Sequence, residues 1–206
     1  MMRLVCSSRE VGSTLMVAEF PNWFDAYAKP NFEKYLIPLA GQENLNLQQL
    51  GADTGDASVW LAENVLTGSG SLLFDVDTWA GSDEEVHKTI DFDEVFKVYR
   101  SKTEQYKKIM FVHSPSFNYL LNYNYFKYYE FIYVDADHTA ASVLLDAELS
   151  WRLLRKGGLI AFDDYQWGAE LPASKSPKLG IDLFLERHAG EYEVLEQGLQ
   201  VWLRKL

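Results

Sequence analysis

The stretch FIYVDADHTA, residues 131–140, places two acids and a histidine directly after an apolar run. Four further runs along the chain also end in glycines, acids, hydroxyl residues or a histidine. Continuous apolar runs are typical of parallel strands that helices cover on both faces. We therefore predict strands at residues 46–51, 71–77, 108–114, 131–135 and 158–164.

The segments between these runs carry apolar residues at helical spacing. We expect helices within residues 29–40, 56–68, 92–106, 139–157 and 180–190. The fourth of them ends in basic residues and Gly157, as a helix C-terminus commonly does. Residues 192–197 and 199–205 flank Gly198 and predict a closing antiparallel hairpin. The alternation predicts an α/β fold with a seven-stranded, mostly parallel sheet and helices on both faces.

Composition limits the class of protein. The chain has 206 residues, of which 48% are hydrophobic, enough to build one large core, so we expect a single domain over residues 21–206. Residues 1–20 form an extension that we expect to act as a lid or to contact a second subunit in a homodimer. Thirty acidic residues against 19 basic ones give a net charge of −11, which argues against a nucleic-acid partner.

The single cysteine, Cys6, leaves no disulfide framework and suits a reducing compartment. No apolar run approaches the roughly 20 residues of a membrane helix, and the N-terminus has no secretory signal pattern. These features predict a cytoplasmic protein with no membrane partner.

The loop QLGADTGDAS, residues 49–58, lies between the first strand and a helix. Gly51 and Gly55 let the backbone approach a ligand, although two glycines in an ordinary βα turn fit equally well. Asp77 ends the second strand, where an acid commonly binds ribose hydroxyls; a turn or helix-cap acid is the alternative. Trp79 and Trp167 each follow a strand tip and are candidates for ligand contact.

Asp135, Asp163 and Asp164 end two neighbouring strands of the predicted sheet. Converging carboxylates repel one another unless they bind a hard cation or share a proton, and oxygen ligands favour Mg²⁺ or Ca²⁺ over Zn²⁺. His138 opens the next helix and is a candidate base, with Asp137 as its rival. The alternative is that the Asp163–Asp164 pair simply ends a strand and starts a turn.

The sequence YVDADH at 133–138, followed by LLRKGGLIAFDDYQWG at 153–168, resembles the DADK…GGxxxxDN pattern of magnesium-dependent class I O-methyltransferases of the catechol and caffeoyl-coenzyme A type. The wider chain is more similar to a bacterial branch that includes antibiotic-sugar O-methyltransferases. It shares the WFDAYAKPNFEKYL lead segment at 23–36, the DVDTWAGS second tip at 75–82 and the GIDLFL…YEVL…QV ending after residue 179. The resemblance covers nearly everything after residue 22.

The resemblance implies a Rossmann-like class I methyltransferase fold that binds S-adenosylmethionine across the tips of strands one to three. It implies a metal-assisted reaction on the hydroxyl of a small molecule, either a sugar or a catechol. It assigns the cofactor to Gln49, Gly51, Asp53, Gly55, Asp77, Trp79, Ser114, Ser116 and Asp135. It assigns Mg²⁺, or another divalent ion such as Ca²⁺ or Mn²⁺, to Asp135, Asp163 and Asp164, and catalysis to His138 or Asp137.

Two positions depart from the resembled pattern. Gln49 stands where the first loop usually has a glutamate, and Ala57 stands where a serine is common. Both positions lie where the family holds the methionine end of the cofactor. A degenerate cofactor-binding or scaffold domain without activity is therefore one alternative.

A haloacid-dehalogenase-type phosphohydrolase is the other alternative. LLFDVDT at 72–78, IMFVHS at 109–114 and LIAFDD at 159–164 resemble three of its motifs in order. That family has one residue between the second acid and the threonine, whereas Asp77 and Thr78 are adjacent here.

Overall fold

The computed structural model describes residues 20–82, 84–122 and 128–206, so the proposed lid or dimer segment lies almost wholly outside the described residues. The described chain builds one seven-stranded sheet in the order β3-β2-β1-β4-β5-β7-β6. The strands are β1 (Asn46–Leu50), β2 (Leu72–Asp77), β3 (Ile109–His113), β4 (Tyr129–Val134), β5 (Leu154–Phe162), β6 (Tyr192–Gln197) and β7 (Val201–Lys205).

The five strands β1 to β5 pair in parallel, and β7 is antiparallel to both β5 and β6. The predicted mostly parallel sheet with a C-terminal antiparallel hairpin is thus confirmed. Within the described residues, six α-helices connect and cover it: α1 (Lys29–Leu36), α2 (Asp56–Asn64), α3 (Phe92–Thr103), α4 (Ser116–Asn122), α5 (Ala140–Leu153) and α6 (Pro177–Arg187). A π-helical turn, Phe24–Ala28, leads into α1.

The helices pack on both faces of the sheet, as predicted. On one face, α4, α5 and α6 bury an apolar cluster that includes Val143, Trp151 and Phe184. On the other face, α1 and α2 enclose a second cluster around Phe32 and Trp60. None of the helices in the described ranges is both long and apolar enough to cross a membrane.

The boundary between α5 and β5 differs from the prediction. The helix ends at Leu153, and β5 begins at Leu154 instead of at residue 158. Leu154 is buried and pairs with Tyr129, so strand pairing ends a helical pattern that the sequence continues. Gly157 has φ +75° inside β5, near a register shift against β4, and does not cap the helix.

Backbone hydrogen bonds extend the parallel ladder one residue beyond the strands and align their tips. Gly51 N donates to Val76 O at 2.8 Å, and Asp135 N donates to Leu50 O at 2.8 Å. Asp163 N donates in the same way to the last residue of β4 at 3.0 Å. The carboxyl ends of the central strands therefore form one continuous edge.

Candidate active site

A cavity of about 920 Å³ opens at this edge. All the residues assigned above to cofactor, metal or catalysis line it. They are Gln49, Gly51, Asp53, Gly55, Asp77, Trp79, Ser114, Ser116, Asp135, Asp137, His138, Asp163 and Asp164. These residues lie at or just after the carboxyl ends of parallel strands, where ligands of such sheets bind, and this position explains why they share one cavity.

Two glycines shape the loop between β1 and α2. Gly51 has φ +86°, and a Cβ built on it would lie 1.8 Å from the carbonyl oxygen of Asp135. Gly55 has φ +83° and precedes α2, and a Cβ there would lie 2.9 Å from the Tyr99 ring. Both positions require glycine, for backbone conformation and for close packing. The loop is therefore held flat against the tip of β4.

Gln49 lies at the penultimate position of β1 and is 3% exposed. Its Nε2 donates to Gly51 O at 2.8 Å, whereas its Oε1 is buried and has no hydrogen-bond partner. An unpaired buried acceptor costs free energy, so this oxygen calls for a donor from a ligand. Ala57 is also buried, at the start of α2, and lines the same part of the cavity.

Asp77 binds the two adjacent loops to each other. Its Oδ2 accepts from Ala52 N at 2.7 Å and Asp53 N at 3.0 Å, and its Oδ1 accepts from Trp79 N at 2.7 Å. These are the contacts of a turn acid, the alternative considered for this residue. A carboxylate oxygen has two lone pairs, so Oδ1 keeps one for a ligand hydroxyl.

The two tryptophans differ in their surroundings. Trp79 is buried against Phe96 and Tyr99, with ring centroids 4.7 Å from each, and its Nε1 donates to Asp53 O at 3.0 Å. It packs mainly as a core residue that also borders the cavity. Trp167 is half-buried, and its ring lies 4.7 Å from the ring of His138.

A histidine lies at the centre of the acidic cluster. His138 Nε2 lies 3.0 Å from Asp164 Oδ2 and 3.9 Å from Asp135 Oδ1. Its Nδ1 lies 3.1 Å from Glu84 Oε1, outside hydrogen-bond geometry. Asp164 has φ +57°, a left-handed backbone conformation. Asp135, His138 and Asp164 each offer one ligand atom, all within 4.8 Å of one another.

These groups alter one another's protonation. Burial opposes the charged imidazole, but contacts with Asp135, Asp164 and Glu84 outweigh it and raise the pKa of His138 to about 12. Burial, and then the charge of Asp163, raise the pKa of Asp135 well above its usual range. A histidine side chain ordinarily has a pKa near 6.5, so His138 departs far from the usual value in this arrangement. His138 is an imidazolium at pH 7 when no other cation occupies the cluster.

Asp163 lies beside the cluster but points elsewhere. It accepts a hydrogen bond from the Tyr133 hydroxyl, and its Oδ1 accepts from Gln200 Nε2 at 3.1 Å. The structure thus groups Asp135 and Asp164 with His138, and Asp163 with Tyr133 and Gln200.

Three other assigned residues lie toward α4 and α5. Asp137 Oδ1 accepts from Thr139 N at 2.6 Å, ahead of α5. Ser114 Oγ donates to Pro115 O at 3.1 Å, and Ser116 is the first residue of α4.

Sequence reasoning missed several residues that line the cavity. Glu84 lies in an irregular loop after β2, where no periodicity marks it. Asp146 is buried on α5 and forms a side-chain hydrogen bond with Ser116, and burial raises the pKa of Asp146 to about 7. Its one sequence signal is an acid among the apolar residues 143–147. Trp23 and Tyr27 also border the cavity, from the π-helical turn.

The phosphohydrolase alternative places its nucleophile on β2, at Asp75. That side chain is fully buried, does not line the cavity and accepts a hydrogen bond from Tyr99 Oη at 2.7 Å. Burial raises the pKa of Asp75 to about 7. A buried carboxylate of this kind cannot attack a phosphate in the cavity, so this alternative is not supported.

Comparisons with known proteins agree with this geometry. A profile described as a methyltransferase domain matches residues 49–165. None of the curated proteins compared with the chain matches it.

Several solved structures share the fold. An O-methyltransferase from Bacillus cereus in complex with SAH is 20% identical, with a TM-score of 0.58, covering 85% of this chain and 81% of that one. A candidate methyltransferase from Streptococcus mutans in complex with SAH is 15% identical, with a TM-score of 0.62 and coverages of 86% and 97%. A candidate rRNA methylase from Clostridium thermocellum is 13% identical, with a TM-score of 0.64 and coverages of 86% and 97%. The matched profile spans more than half of the chain, from the glycine loop to the tip of β5, and the chain therefore belongs to the methyltransferase domain family.

Proposed function

We propose that this protein is an S-adenosylmethionine-dependent O-methyltransferase that methylates a hydroxyl of a small molecule with the help of a divalent cation. The observation that carries the proposal is the convergence of Asp135, His138 and Asp164 in the same cavity as the glycine loop. Metal ligands and a cofactor loop that share one cavity can present a hydroxyl to a methyl donor.

The residues present fit S-adenosylmethionine. Gln49 Oε1 is a buried acceptor without a partner, suited to the ammonium of the methionine part. Gly51 leaves no side chain between the loop and Asp135. Asp77 Oδ1 keeps a lone pair for a ribose hydroxyl, and Ser114 and Ser116 offer hydroxyls toward the adenine. When bound, the cofactor supplies an electrophilic methyl group on a sulfonium.

The residues present also fit a divalent cation. Asp135 and Asp164 would hold it, with Asp163 behind them, fixed by Tyr133 and Gln200, and with His138 beside both ligands. Carboxylate oxygens suit Mg²⁺ and Mn²⁺. When bound, such an ion lowers the pKa of a hydroxyl that it contacts.

The chain's own groups then orient the acceptor and accept its proton. Bound S-adenosylmethionine would supply the methyl group to the hydroxyl oxygen and would leave as S-adenosylhomocysteine, so that the acceptor would become a methyl ether. The hydroxyl proton would pass to His138 or Asp137, since both line the cavity. The imidazolium of His138 must give up its proton before it can act as a base.

Some structural neighbours are described as rRNA methylases, but charge argues against RNA as the substrate here. The chain carries a net charge of −11, and the described residues that line the cavity include neither lysine nor arginine. An RNA backbone needs cationic contacts, so we propose a small-molecule acceptor.

Calorimetric titration with S-adenosylmethionine, with and without Mg²⁺, tests the proposal beside a generic phosphatase assay. We expect cofactor binding and no phosphatase activity. Phosphatase activity without cofactor binding would refute the proposal. Cofactor binding with no turnover on any hydroxyl compound, sugar or catechol, would favour the degenerate binding domain.

A further inference from the structure

The cavity is unusually acidic for a site that binds a small molecule. Nine carboxylates line it, while the described lining residues include neither lysine nor arginine. Lys102 binds Asp56 Oδ1 at 2.7 Å but does not itself line the cavity. The described walls therefore offer many acceptors and few cationic donors.

An aromatic pair lies at the rim of this cavity. The side chains of Trp23 and Tyr27 are 59% and 55% exposed, and their rings stack at 6.1 Å and 19°. Between them in sequence, Phe24 packs on Phe32 with centroids 5.0 Å apart, and Phe32 packs on Tyr133 at 5.0 Å. Tyr133 donates to Asp163. The cavity is lined by Trp23, Phe24, Tyr27 and Tyr133, and the contacts of Phe24 and Tyr133 with the buried Phe32 connect this rim to Asp163, beside the acidic cluster.

We infer that the acceptor substrate is a ring compound that carries a protonated amine, bound between the Trp23–Tyr27 pair and the acidic cluster. This inference rests on the proposed function, because it names the substrate class of that site. Aromatic faces attract cations, and an exposed stacked pair offers such a face to a ligand.

The charge of the cavity also argues against anionic substrates. The acidic cluster and its neighbour Asp163 bring four carboxylates to this end of the cavity, those of Glu84, Asp135, Asp163 and Asp164. A divalent ion offsets two of these four negative charges and leaves two in excess. A carboxylate, phosphate or coenzyme A ester finds no described lysine or arginine lining the cavity to pair with. Such an anion also meets acids in a partly dehydrated site, where repulsion is strong.

Two matched probe series test the inference in the intact protein saturated with S-adenosylhomocysteine and Mg²⁺. The catechol series is dopamine, 4-methylcatechol and 3,4-dihydroxyphenylacetate, and the sugar series is glucosamine, glucose and glucuronate. In at least one series we expect calorimetry to give the order amine, neutral, carboxylate, with the amine at least about tenfold tighter than the carboxylate. Equal binding within both series, preference for a carboxylate, or binding of none of the six probes would overturn the inference.

Variants of Trp23 test whether the aromatic pair at the rim of the cavity binds the amine. Trp23→Ala should weaken amine binding at least about fivefold, because alanine has no aromatic face to attract the ammonium. Trp23→Phe should retain most of the binding, because phenylalanine keeps such a face. Tyr128→Ala is the matched control, since Tyr128 is 69% exposed and does not line the cavity. An equal loss in Trp23→Ala and Tyr128→Ala contradicts the inference.

Binding of S-adenosylhomocysteine distinguishes a failure of this inference from a failure of the proposed function. If it binds while the probe order fails, only the substrate class is wrong. If it does not bind, the proposed function and the inference fall together.

Discussion

The carbonyl oxygen of Asp135 occupies the space that a side chain at Gly51 would need, since a Cβ there would lie 1.8 Å away. The glycine loop and the tip that carries the acidic cluster are thus in direct backbone contact. This contact couples the proposed cofactor loop to the proposed metal site.

Gly51→Ala should destabilise the protein by about 3 to 5 kcal/mol, because left-handed backbone strain adds to overpacking. Gly190→Ala is the matched control. Gly190 has φ +90° but nothing within 4 Å of an added Cβ, so only backbone strain of about 1 to 2 kcal/mol applies. Urea denaturation measures both changes, and equal losses would contradict the assigned contact.

Gln49→Glu should strengthen S-adenosylmethionine binding, because a carboxylate pairs with the ammonium that the unpartnered Oε1 is proposed to accept. We expect about a fivefold gain, from the difference between charged and neutral hydrogen bonds. Gln166→Glu adds the same charge at an exposed position that also lines the cavity. Calorimetry should show no comparable gain there; a gain shared by both variants points to general electrostatics instead.

His138→Gln should destabilise the protein at pH 7, because it leaves Glu84, Asp135 and Asp164 without their imidazolium. The pKa of His138 is raised from 6.5 to about 12, so its stabilisation is fully present below pH 6.5 and lost as the pH rises through about 12. Nearly all of it is present at pH 7, and we expect a loss of about 2 to 4 kcal/mol.

Thermal or urea denaturation checks this loss, and Mg²⁺ should restore stability more in His138→Gln than in the wild type. His113→Gln serves as the control, since His113 is exposed and lies beside Trp79 instead of the acids. A variant as stable as the wild type at pH 7 would show that the imidazolium does not neutralise the cluster.

Asp75→Asn should change how stability depends on pH. Burial raises the pKa of Asp75 from 3.8 to about 7, so between these values the folded state holds a proton that the unfolded state releases. The free energy of unfolding therefore falls as the pH rises from about 4 to about 7.

The asparagine keeps an acceptor for the Tyr99 hydroxyl but carries no charge. Relative to the wild type, Asp75→Asn should gain stability with rising pH, on the order of a few kcal/mol between pH 4.5 and pH 8. Urea denaturation at several pH values measures this gain, with the exposed Asp93→Asn as control. A difference that does not vary with pH would count against a buried, uncharged Asp75.

The sheet was predictable because its central strands are apolar runs and their tips are polar. The start of β5 was not, because residues 149–154 continue the helical spacing of α5. Pairing of Leu154 with Tyr129 ends the helix, and such long-range pairing leaves no local signal.

The site was predictable in its membership but not in its internal arrangement. Parallel strand tips bring Asp135 and Asp164 together, whereas Asp163 accepts hydrogen bonds from Tyr133 and Gln200. The protonation of His138 depends on acids from three separate loops, and sequence spacing gives none of these distances.

The most direct test asks whether a metal at the acidic cluster lies beside the cofactor's methyl group. Mn²⁺ should broaden the methyl resonance of [methyl-¹³C]S-adenosylmethionine bound to the wild type. In Asp135→Asn and Asp164→Asn, the broadening should be lost while calorimetry shows that cofactor binding persists. Broadening that is absent in the wild type, or unchanged in both variants, would contradict a metal-assisted methyl transfer in this cavity.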